Sequence, residues 1–246
     1  MAEKRKMEQA GESKKKAKNF VLGYWMIRGL AAPLRMALTY ANIPFEDKQY
    51  ELEEKEGGGY DASAWFKGDK PELAKQNPLI NLPYIVHDGK VWTQTNCCLM
   101  YVAKLAGLDG GDPLACEQLL CQVMDLRNDA VKIFYASDPA PLVQRHLEKS
   151  VPSHMTKFEN WLKLHKTTYL HGESPSVSDM HLWEMIDVHE AFAKHHKVKS
   201  FIADAPGLQK LYKTLRADPK LKAYFDGSYK TLPINNKVAS FGAKLL

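Results

Sequence analysis

The run Phe20-Val21-Leu22-Gly23-Tyr24-Trp25 decides how the folded part of this chain begins. Its residues are almost all apolar, aromatic or β-branched, which is typical of a short strand that is buried on both faces. Arg28-Gly29-Leu30 follows as a turn, and Leu34 and Leu38 then recur at helical spacing within residues 31–41. This order of strand, turn and helix predicts an α/β unit.

Further strand and helix signals follow in the first half of the chain. They are a strand over 45–52, a charged, glycine-rich loop over 53–59, a strand over 82–86, a hairpin turn over 87–90, a strand that begins at Val91, and a helix that starts at Thr93 or Thr95 and ends near Gly107. Asp88-Gly89 is the strongest hairpin signal. Residues 61–81 show no regular pattern. The order predicts a small α/β domain with a mixed sheet.

The second half contains almost no strand signal. Helical patterns cover about 114–137, 142–165, 176–195, 208–216 and 221–225, and Ser176 to Asp179 reads as a capping box. The predicted fold class is therefore α/β followed by all-α. The predicted organisation is a basic disordered tail over 1–19, an α/β domain over 20–106, a helical domain over 107–230 and a C-terminal tail over 231–246.

Composition excludes several classes of protein. The 246 residues are 45% hydrophobic and 26% charged, as in a globular protein, and no apolar run approaches the ~20 residues of a membrane span. With no apolar stretch at the start and only four cysteines, we expect reduced thiols and a cytoplasmic location. Neither CxxC nor a Cys/His cluster with zinc spacing occurs, so we expect no metal site.

The positive charge is concentrated at the start of the chain. Residues 1–19 hold seven basic and three acidic residues, which is most of the formal net charge of +5. The nearly neutral remainder gives no electrostatic case for a nucleic-acid-binding domain. The basic tail is either a solubilising segment or a patch that contacts an acidic partner.

Five short motifs together resemble the glutathione S-transferases, most closely their mu class, with the sigma class as the nearest alternative. They are residues 21–31 with Leu34-Arg35, Tyr60-Asp61 with Trp65, Asn81-Leu82-Pro83-Tyr84, Thr93-Gln94-Thr95-Asn96, and Asp125-x-Arg127 with Tyr135. They occur in the family's order, and the resemblance spans roughly 20–230. It implies a thioredoxin-like N-terminal domain, an all-helical C-terminal domain, a homodimer, and glutathione as cosubstrate with no permanently bound cofactor.

Tyr24 is the candidate catalytic residue by this resemblance. Glutathione reacts as its thiolate, and a free thiol with a pKa near ~8.5 is mostly protonated at neutral pH. A hydrogen bond from a phenol to the charged sulfur of about 1.5–3 kcal/mol would lower the thiol pKa by one to two units. The alternative is a core tyrosine whose hydroxyl bonds to backbone.

The resemblance also assigns residues to the backbone of glutathione. It implies a cis Pro83, with the N–H and C=O of Leu82 pairing to the cysteinyl unit beside Asn81; an ordinary trans proline is the alternative. Gln94 and Thr95 stand at a predicted helix N-terminus, which suits the γ-glutamyl carboxylate. The alternative for Thr95 is a plain N-cap.

The glycyl end of glutathione is assigned to Trp25, Trp65 and a lysine that follows, and Leu30 is a further glutathione-binding candidate. Lys67 and Lys70 are both candidates, and we prefer Lys70. Ala62 stands where the family often has an arginine that contacts the glycyl carboxylate. We expect the loss of this contact to weaken glutathione binding by about 0.2–1 kcal/mol. Trp65 is alternatively a packing residue.

The remaining assignments lie in the helical half. The resemblance places Asp125 at the amino group of a glutathione bound by the partner subunit, and Tyr135 at the electrophile. A solvated surface aspartate is the alternative for Asp125. Leu79 stands where the family often has an aromatic key between subunits, so we expect a weaker or repacked interface.

Three functions remain open at this stage. The first is a glutathione transferase that conjugates electrophilic, mostly apolar small molecules. The others are a glutathione-dependent lipid isomerase and a catalytically weak transferase-like scaffold in a larger assembly.

Overall fold

The structure is a computed structural model that describes residues 20–245, so the predicted basic tail lies outside the described residues. The first strand, β1 (Val21–Trp25), is confirmed, and it continues through a 3-10 turn (Gly29–Ala31) into α1 (Ala32–Tyr40). Pro33 lies in the first turn of α1, where its missing N–H has no helical partner to lose. Every residue from Ala32 to Leu38 is buried, because α1 lies between the sheet and the helical half.

A four-stranded mixed sheet forms the first half of the molecule. It consists of β1 with β2 (Glu46–Tyr50), β5 (Tyr84–His87) and β6 (Lys90–Thr93), in the order β2-β1-β5-β6. β2 is parallel to β1, whereas β5 is antiparallel to both β1 and β6. The predicted hairpin and the helix after it, α3 (Thr95–Ala106), are confirmed, and Gly107 ends α3 with a left-handed backbone.

The segment between β2 and β5 is more regular than the sequence suggested. The expected loop over 53–59 includes β3 (Glu53–Glu54), which pairs with β4 (Tyr60–Asp61) in a two-stranded sheet. A π-helical stretch (Ala64–Asp69) and α2 (Lys70–Ala74) follow. The glycine run of the loop turns the chain between β3 and β4, and such two-residue strands leave no periodic pattern to detect.

The second half is helical, as predicted. It contains α4 (Pro113–Phe134), α5 (Ala140–Arg145), a π-helical stretch (His146–Ser150), α6 (Val151–His165), α7 (Val177–His196), α8 (Pro206–Ala217), a 3-10 turn (Pro219–Leu221), α9 (Lys222–Asp226) and α10 (Ser228–Thr231). Ser176 and Asp179 form the predicted capping box of α7. Within residues 20–245, none of the helices combines the length and the hydropathy that a membrane span requires.

The two halves share one hydrophobic core. Leu22 and Leu34 of the first half and Met180 and Trp183 of α7 belong to a single cluster of buried side chains. Burial of this kind contributes about 1.5–3 kcal/mol for each large apolar side chain. The strand–turn–helix unit that carries Tyr24 is therefore held against α7.

The residues after α10 are packed against the helical half. The ring of Phe241 lies 5.1 Å from that of Phe134 and 4.9 Å from that of Phe192. The backbone N–H of Ser240 donates to the Phe134 carbonyl at 2.7 Å. The predicted C-terminal tail is thus an ordered segment over its described residues.

Candidate active site

Tyr24 lies near the C-terminal end of β1 and is 5% exposed. The backbone of Gly29 passes directly under its ring. A Cβ atom at residue 29 would lie 2.8 Å from Tyr24 Cε1 and 3.0 Å from the hydroxyl, and Gly29 also has a positive φ of 38°. Glycine is therefore required here, both for the turn and for the position of the tyrosine.

The Tyr24 hydroxyl is a hydrogen-bond donor at neutral pH. Burial raises the pKa of Tyr24 above its ordinary value, while a hydrogen bond from the Leu30 backbone and the positive charge of Arg127 act in the opposite direction. Because burial dominates, the phenol keeps its proton. The group is suited to donate to an anion that enters beside it.

A cis peptide bond joins Leu82 to Pro83, in agreement with the expectation from the resemblance. Thr93 holds this turn: its Oγ1 donates to the carbonyl of Asn81 at 2.7 Å and accepts from the Asn81 N–H at 3.2 Å. The Leu82 N–H, which is assigned to glutathione, donates to Asn81 Oδ1 at 2.9 Å. A ligand that pairs with this N–H must displace the Asn81 side chain.

The N-terminus of α3 is open. Gln94 is the N-cap, with a φ of 73°, and no side chain bonds to the backbone N–H groups of the first turn. Thr95 is the first helical residue, so its interpretation as a plain N-cap is wrong. Uncapped N–H groups at the positive end of a helix are suited to bind a carboxylate.

These groups line one cleft, which we call the peptide cleft. It is lined by Leu30, Asn81, Leu82, Pro83, Thr93, Gln94, Thr95, Asn96, Met124 and Arg127. The structure thus brings together six of the predicted glutathione-binding residues. They come from three separate segments of the sequence.

Trp25, Trp65 and Lys70 do not line the peptide cleft. Trp65 is 1% exposed and stacks on Tyr84 with ring centroids 5.7 Å apart, which fits its packing alternative. The Lys70 amine lies 5.1 Å from the centre of the Phe66 ring, which in turn lies 6.3 Å from Trp25. The glycyl-end assignments stay predictions.

A second cavity, which we call the acceptor cavity, adjoins the peptide cleft. Leu30 and Arg127 line both spaces, and Tyr24 lines the acceptor cavity. Its other wall residues come from the turn after β1, from α4 and the residue that follows it, from α7 and from the C-terminal segment; they are Ile27, Gly29, Ala130, Val131, Phe134, Tyr135, His181, Glu184, Met185, Val188, Ile234 and Asn235. The wall is largely apolar, with polar groups at a few positions.

Tyr135 lines the acceptor cavity, and its role at the electrophile stays a prediction. Its hydroxyl accepts a hydrogen bond from the Asn236 N–H at 2.9 Å, so its own proton remains available to a ligand. Burial raises the pKa of Tyr135, which keeps it protonated. Tyr135 can therefore donate to a substrate oxygen.

Asp125 lies away from both spaces. It is exposed on α4 and lines a surface groove together with Leu119, Phe158 and Trp161. In this chain it therefore does not contact the peptide cleft. Its predicted role requires a second subunit.

Sequence reasoning missed three residues that shape the site: Arg28, Thr93 and His181. The Arg28 guanidinium binds Glu184 and Asp187 of α7, at 2.9 and 2.6 Å, and the backbone N–H of Arg28 donates to the Pro233 carbonyl at 2.8 Å. A buried arginine beside a turn gives no sequence signal, since most arginines are exposed.

Among residues 20–245, the cysteines and the acidic side chains add no metal site. All four cysteines are free; Cys97 is exposed, whereas Cys98 is buried, and burial raises the pKa of the Cys98 thiol. Within residues 20–245, no group of three or more His, Cys, Asp or Glu side chains could hold a metal ion.

Family models match both halves of the chain. Residues 20–104 match the N-terminal domain of glutathione S-transferase, and residues 124–227 match its C-terminal domain. Glutathione S-transferase Mu 5 of Rattus norvegicus is 31% identical over 93% of this chain and 97% of its own length. Glutathione S-transferase Mu 3 of Homo sapiens is 30% identical over 92% of this chain and 96% of its own length.

Solved structures have the same fold. The glutathione S-transferase Blo t 8 superposes with a TM-score of 0.74 at 22% identity, over 90% of this chain and 99% of that one. A Pi-class glutathione S-transferase of Onchocerca volvulus superposes with a TM-score of 0.72 at 23% identity, also over 90% of this chain and 99% of that one. The thioredoxin-like N-terminal and helical C-terminal architecture is thereby confirmed.

Proposed function

The chain belongs to the glutathione S-transferase family, and we propose that Tyr24 activates the sulfur of glutathione for attack on an electrophilic carbon. The protein is a glutathione transferase, as its relatives are. The role proposed for Tyr24 is supported by the fact that the peptide cleft and the acceptor cavity adjoin each other. Leu30 and Arg127 line both spaces, and Tyr24 lines the acceptor cavity. A thiolate placed there would contact both the phenol and the acceptor.

The tyrosine acts by stabilising charge. Its protonated hydroxyl donates to the bound sulfur, which favours the thiolate over the thiol. A hydrogen bond to a charged group contributes about 1.5–3 kcal/mol, which lowers the thiol pKa by one to two units. The thiol proton leaves to solvent. The thiolate then forms a bond to the electrophilic carbon, and with an aryl halide the carbon–halogen bond breaks and the halide leaves with the bonding electron pair.

The peptide cleft binds the rest of glutathione. The cysteinyl unit pairs with the backbone of Leu82 after the Asn81 side chain has turned away. The γ-glutamyl carboxylate binds Gln94, Thr95 and the uncapped N–H groups of α3. Trp25, Trp65 and Lys70 take the glycyl end, and Leu30 packs against the ligand.

Two substitutions test this assignment. Tyr24→Phe should lower kcat/KM about tenfold or more and should raise the pKa of bound glutathione, followed by the ultraviolet absorbance of the thiolate. Gln94→Ala should weaken retention on immobilised glutathione. The exposed Tyr60 supplies a matched control, since Tyr60→Phe should leave both quantities unchanged.

The scaffold alternative would be favoured by wild-type protein that binds glutathione but conjugates no aryl halide. An unchanged thiol pKa in Tyr24→Phe would instead refute the role of the phenol while leaving glutathione binding intact. The two results are separate, because one concerns turnover and the other concerns ionisation.

We also propose a homodimer in which Leu79 packs against the groove of Leu119, Phe158 and Trp161 on the partner. Leu79 is 77% exposed, and the groove between α4 and α6 offers apolar surface to cover it. Asp125 lines the same groove, so dimerisation would bring it towards the partner's peptide cleft.

Light scattering tests the dimer. Wild-type protein should have twice the mass of one chain. The Leu79→Glu variant should be monomeric, because a carboxylate would be buried in the apolar groove, and it should bind glutathione more weakly. Val198, an exposed residue outside this surface, gives the control Val198→Glu. A Leu79→Glu protein that remains dimeric would contradict the proposed contact.

The preference for mostly apolar acceptors is proposed from the apolar wall of the cavity. The cytoplasmic location and an acidic partner for residues 1–19 stay predictions.

A further inference from the structure

Thr93 lines the peptide cleft but binds no part of glutathione in the proposed mechanism. It is the last residue of β6, is 6% exposed, and directly precedes Gln94 and Thr95 at the N-terminus of α3. Thr93 therefore lies between the two parts of the cleft, which are the turn at Asn81 and the start of the helix.

The backbone pairing between β5 and β6 ends next to this turn. Tyr84 is the first residue of β5, and its partner in β6 is Thr93. Pro83 precedes Tyr84 and has no N–H, so it cannot donate a further hydrogen bond to the neighbouring strand. The turn that carries Leu82 consequently lies beyond the end of the sheet and needs other contacts to hold it.

The Thr93 hydroxyl supplies these contacts. Its Oγ1 atom donates to the Asn81 carbonyl at 2.7 Å and, at the longer distance of 3.1 Å, to the Pro83 carbonyl, and it accepts from the Asn81 N–H at 3.2 Å. The backbone is thus bound on either side of Leu82. A binding surface that is already fixed loses less conformational entropy when its ligand binds, so the fixed turn has a higher affinity than a mobile one.

We propose that Thr93 is a positioning residue for glutathione, because its hydroxyl holds the Leu82 backbone in the orientation that pairs with the cysteinyl unit. This inference rests on the proposed function, since it concerns the same binding site. The peptide backbone of glutathione does not change between the bound ground state and the transition state, so loss of the hydroxyl weakens the binding of both equally. KM for glutathione then rises, whereas kcat at saturating glutathione does not change.

Thr93→Val tests this inference, because valine has a similar branched shape but no hydroxyl. The variant should raise the Kd for glutathione, measured by titration calorimetry, and the KM for glutathione by about tenfold each. Its kcat at saturating glutathione should change by about twofold or less. Thr93→Ser, which restores the hydroxyl without the methyl group, should return the Kd to within about threefold of the wild-type value.

Thr168→Val is the matched control. Thr168 is 8% exposed, does not line the peptide cleft, and donates from its hydroxyl to Glu173 Oε2 at 2.6 Å. Because this variant also loses a buried hydroxyl with its hydrogen bond, its unfolding free energy should fall. Its Kd for glutathione should stay at the wild-type value, which separates a general loss of stability from a loss of affinity.

A Thr93→Val protein that binds glutathione as tightly as the wild type, or that loses kcat instead of affinity, would overturn the inference. If this variant does not fold, Thr93→Ala and Thr93→Ser carry the test, because the two differ only in the hydroxyl, and equal Kd values would then overturn it. Wild-type protein without measurable affinity for glutathione would instead count against the proposed function. The two failures are therefore distinguishable.

Discussion

Replacement of Arg28 by methionine tests how the catalytic turn is held in place. Arg28 is 4% exposed, and its guanidinium joins the turn after β1 to two carboxylates on α7. It binds Glu184 through two hydrogen bonds and Asp187 through one. The variant Arg28→Met keeps much of the side-chain volume but removes the charge and every donor.

The expected loss of stability follows from the burial of both acids. Removing one partner of a buried ion pair costs about 3–5 kcal/mol, because the remaining charge is left without compensation. Asp187 keeps hydrogen bonds from Tyr212 and Tyr229, at 2.6 and 3.1 Å, whereas Glu184 has no second side-chain donor among residues 20–245. Most of the cost therefore falls on Glu184.

The pH dependence of this loss has a definite sign. Burial raises the pKa of Glu184 even in the intact pair, and removal of Arg28 raises it further. A carboxyl whose folded pKa exceeds its unfolded value stabilises the fold at low pH, and this contribution is lost as the pH rises. The difference in unfolding free energy between wild type and variant should therefore be larger at pH 8 than at pH 5.

Urea unfolding followed by tryptophan fluorescence measures this difference at both pH values. Lys75→Met is the control, because Lys75 forms an exposed ion pair with Glu72 at 2.7 Å and such pairs contribute about 0–1 kcal/mol. A loss in Arg28→Met no larger than that of the control, or one that does not change with pH, would refute the role assigned to the buried network.

Two further predictions concern a glycine and a histidine pair. Gly29→Ala should lower kcat at least tenfold, because its Cβ would displace the Tyr24 ring. Gly89→Ala, at a positive φ with no atom near the new Cβ, should cost stability alone. Burial lowers the pKa of His146 to about 4 and that of His189 to about 3. Because both imidazoles take up a proton more readily in the unfolded chain, the unfolding free energy should fall as the pH drops below 6.5, by about 1.4 kcal/mol per pH unit for each imidazole. Urea unfolding at several pH values measures this slope, and a variant with leucine at both positions that keeps the slope would contradict the prediction.

The parts of the fold that the sequence predicted correctly are those that local sequence patterns determine. The apolar run of β1, the Asp88-Gly89 turn and the capping box of α7 all lie where expected. Each is decided by neighbouring residues through backbone geometry and periodicity. The β3–β4 hairpin was missed, because two-residue strands carry no period and form only when their partner is near.

For the candidate site as well, short motifs identify some of the residues, whereas other features depend on the folded chain. Leu82-Pro83 and Gln94-Thr95 can be identified as short motifs, and the cleft that they share confirms that they lie together. Whether the Leu82 N–H is free could not be read from the motif, since Asn81 Oδ1 accepts from it in the folded chain. The packed C-terminal segment was likewise invisible, because its contacts are made with α4 and α7 far back in the sequence.

The sequence by itself determined the order of strands and helices, the family resemblance and the identity of the tyrosine at the end of β1. Only the tertiary structure decided that Arg28 is buried against Glu184 and Asp187, and that His181 and Arg127 lie in one cavity with Tyr24. The physical reason is that periodicity states which face of a helix is apolar but not which other element covers it. That pairing depends on side-chain packing between residues more than 150 positions apart in the case of Arg28 and Glu184.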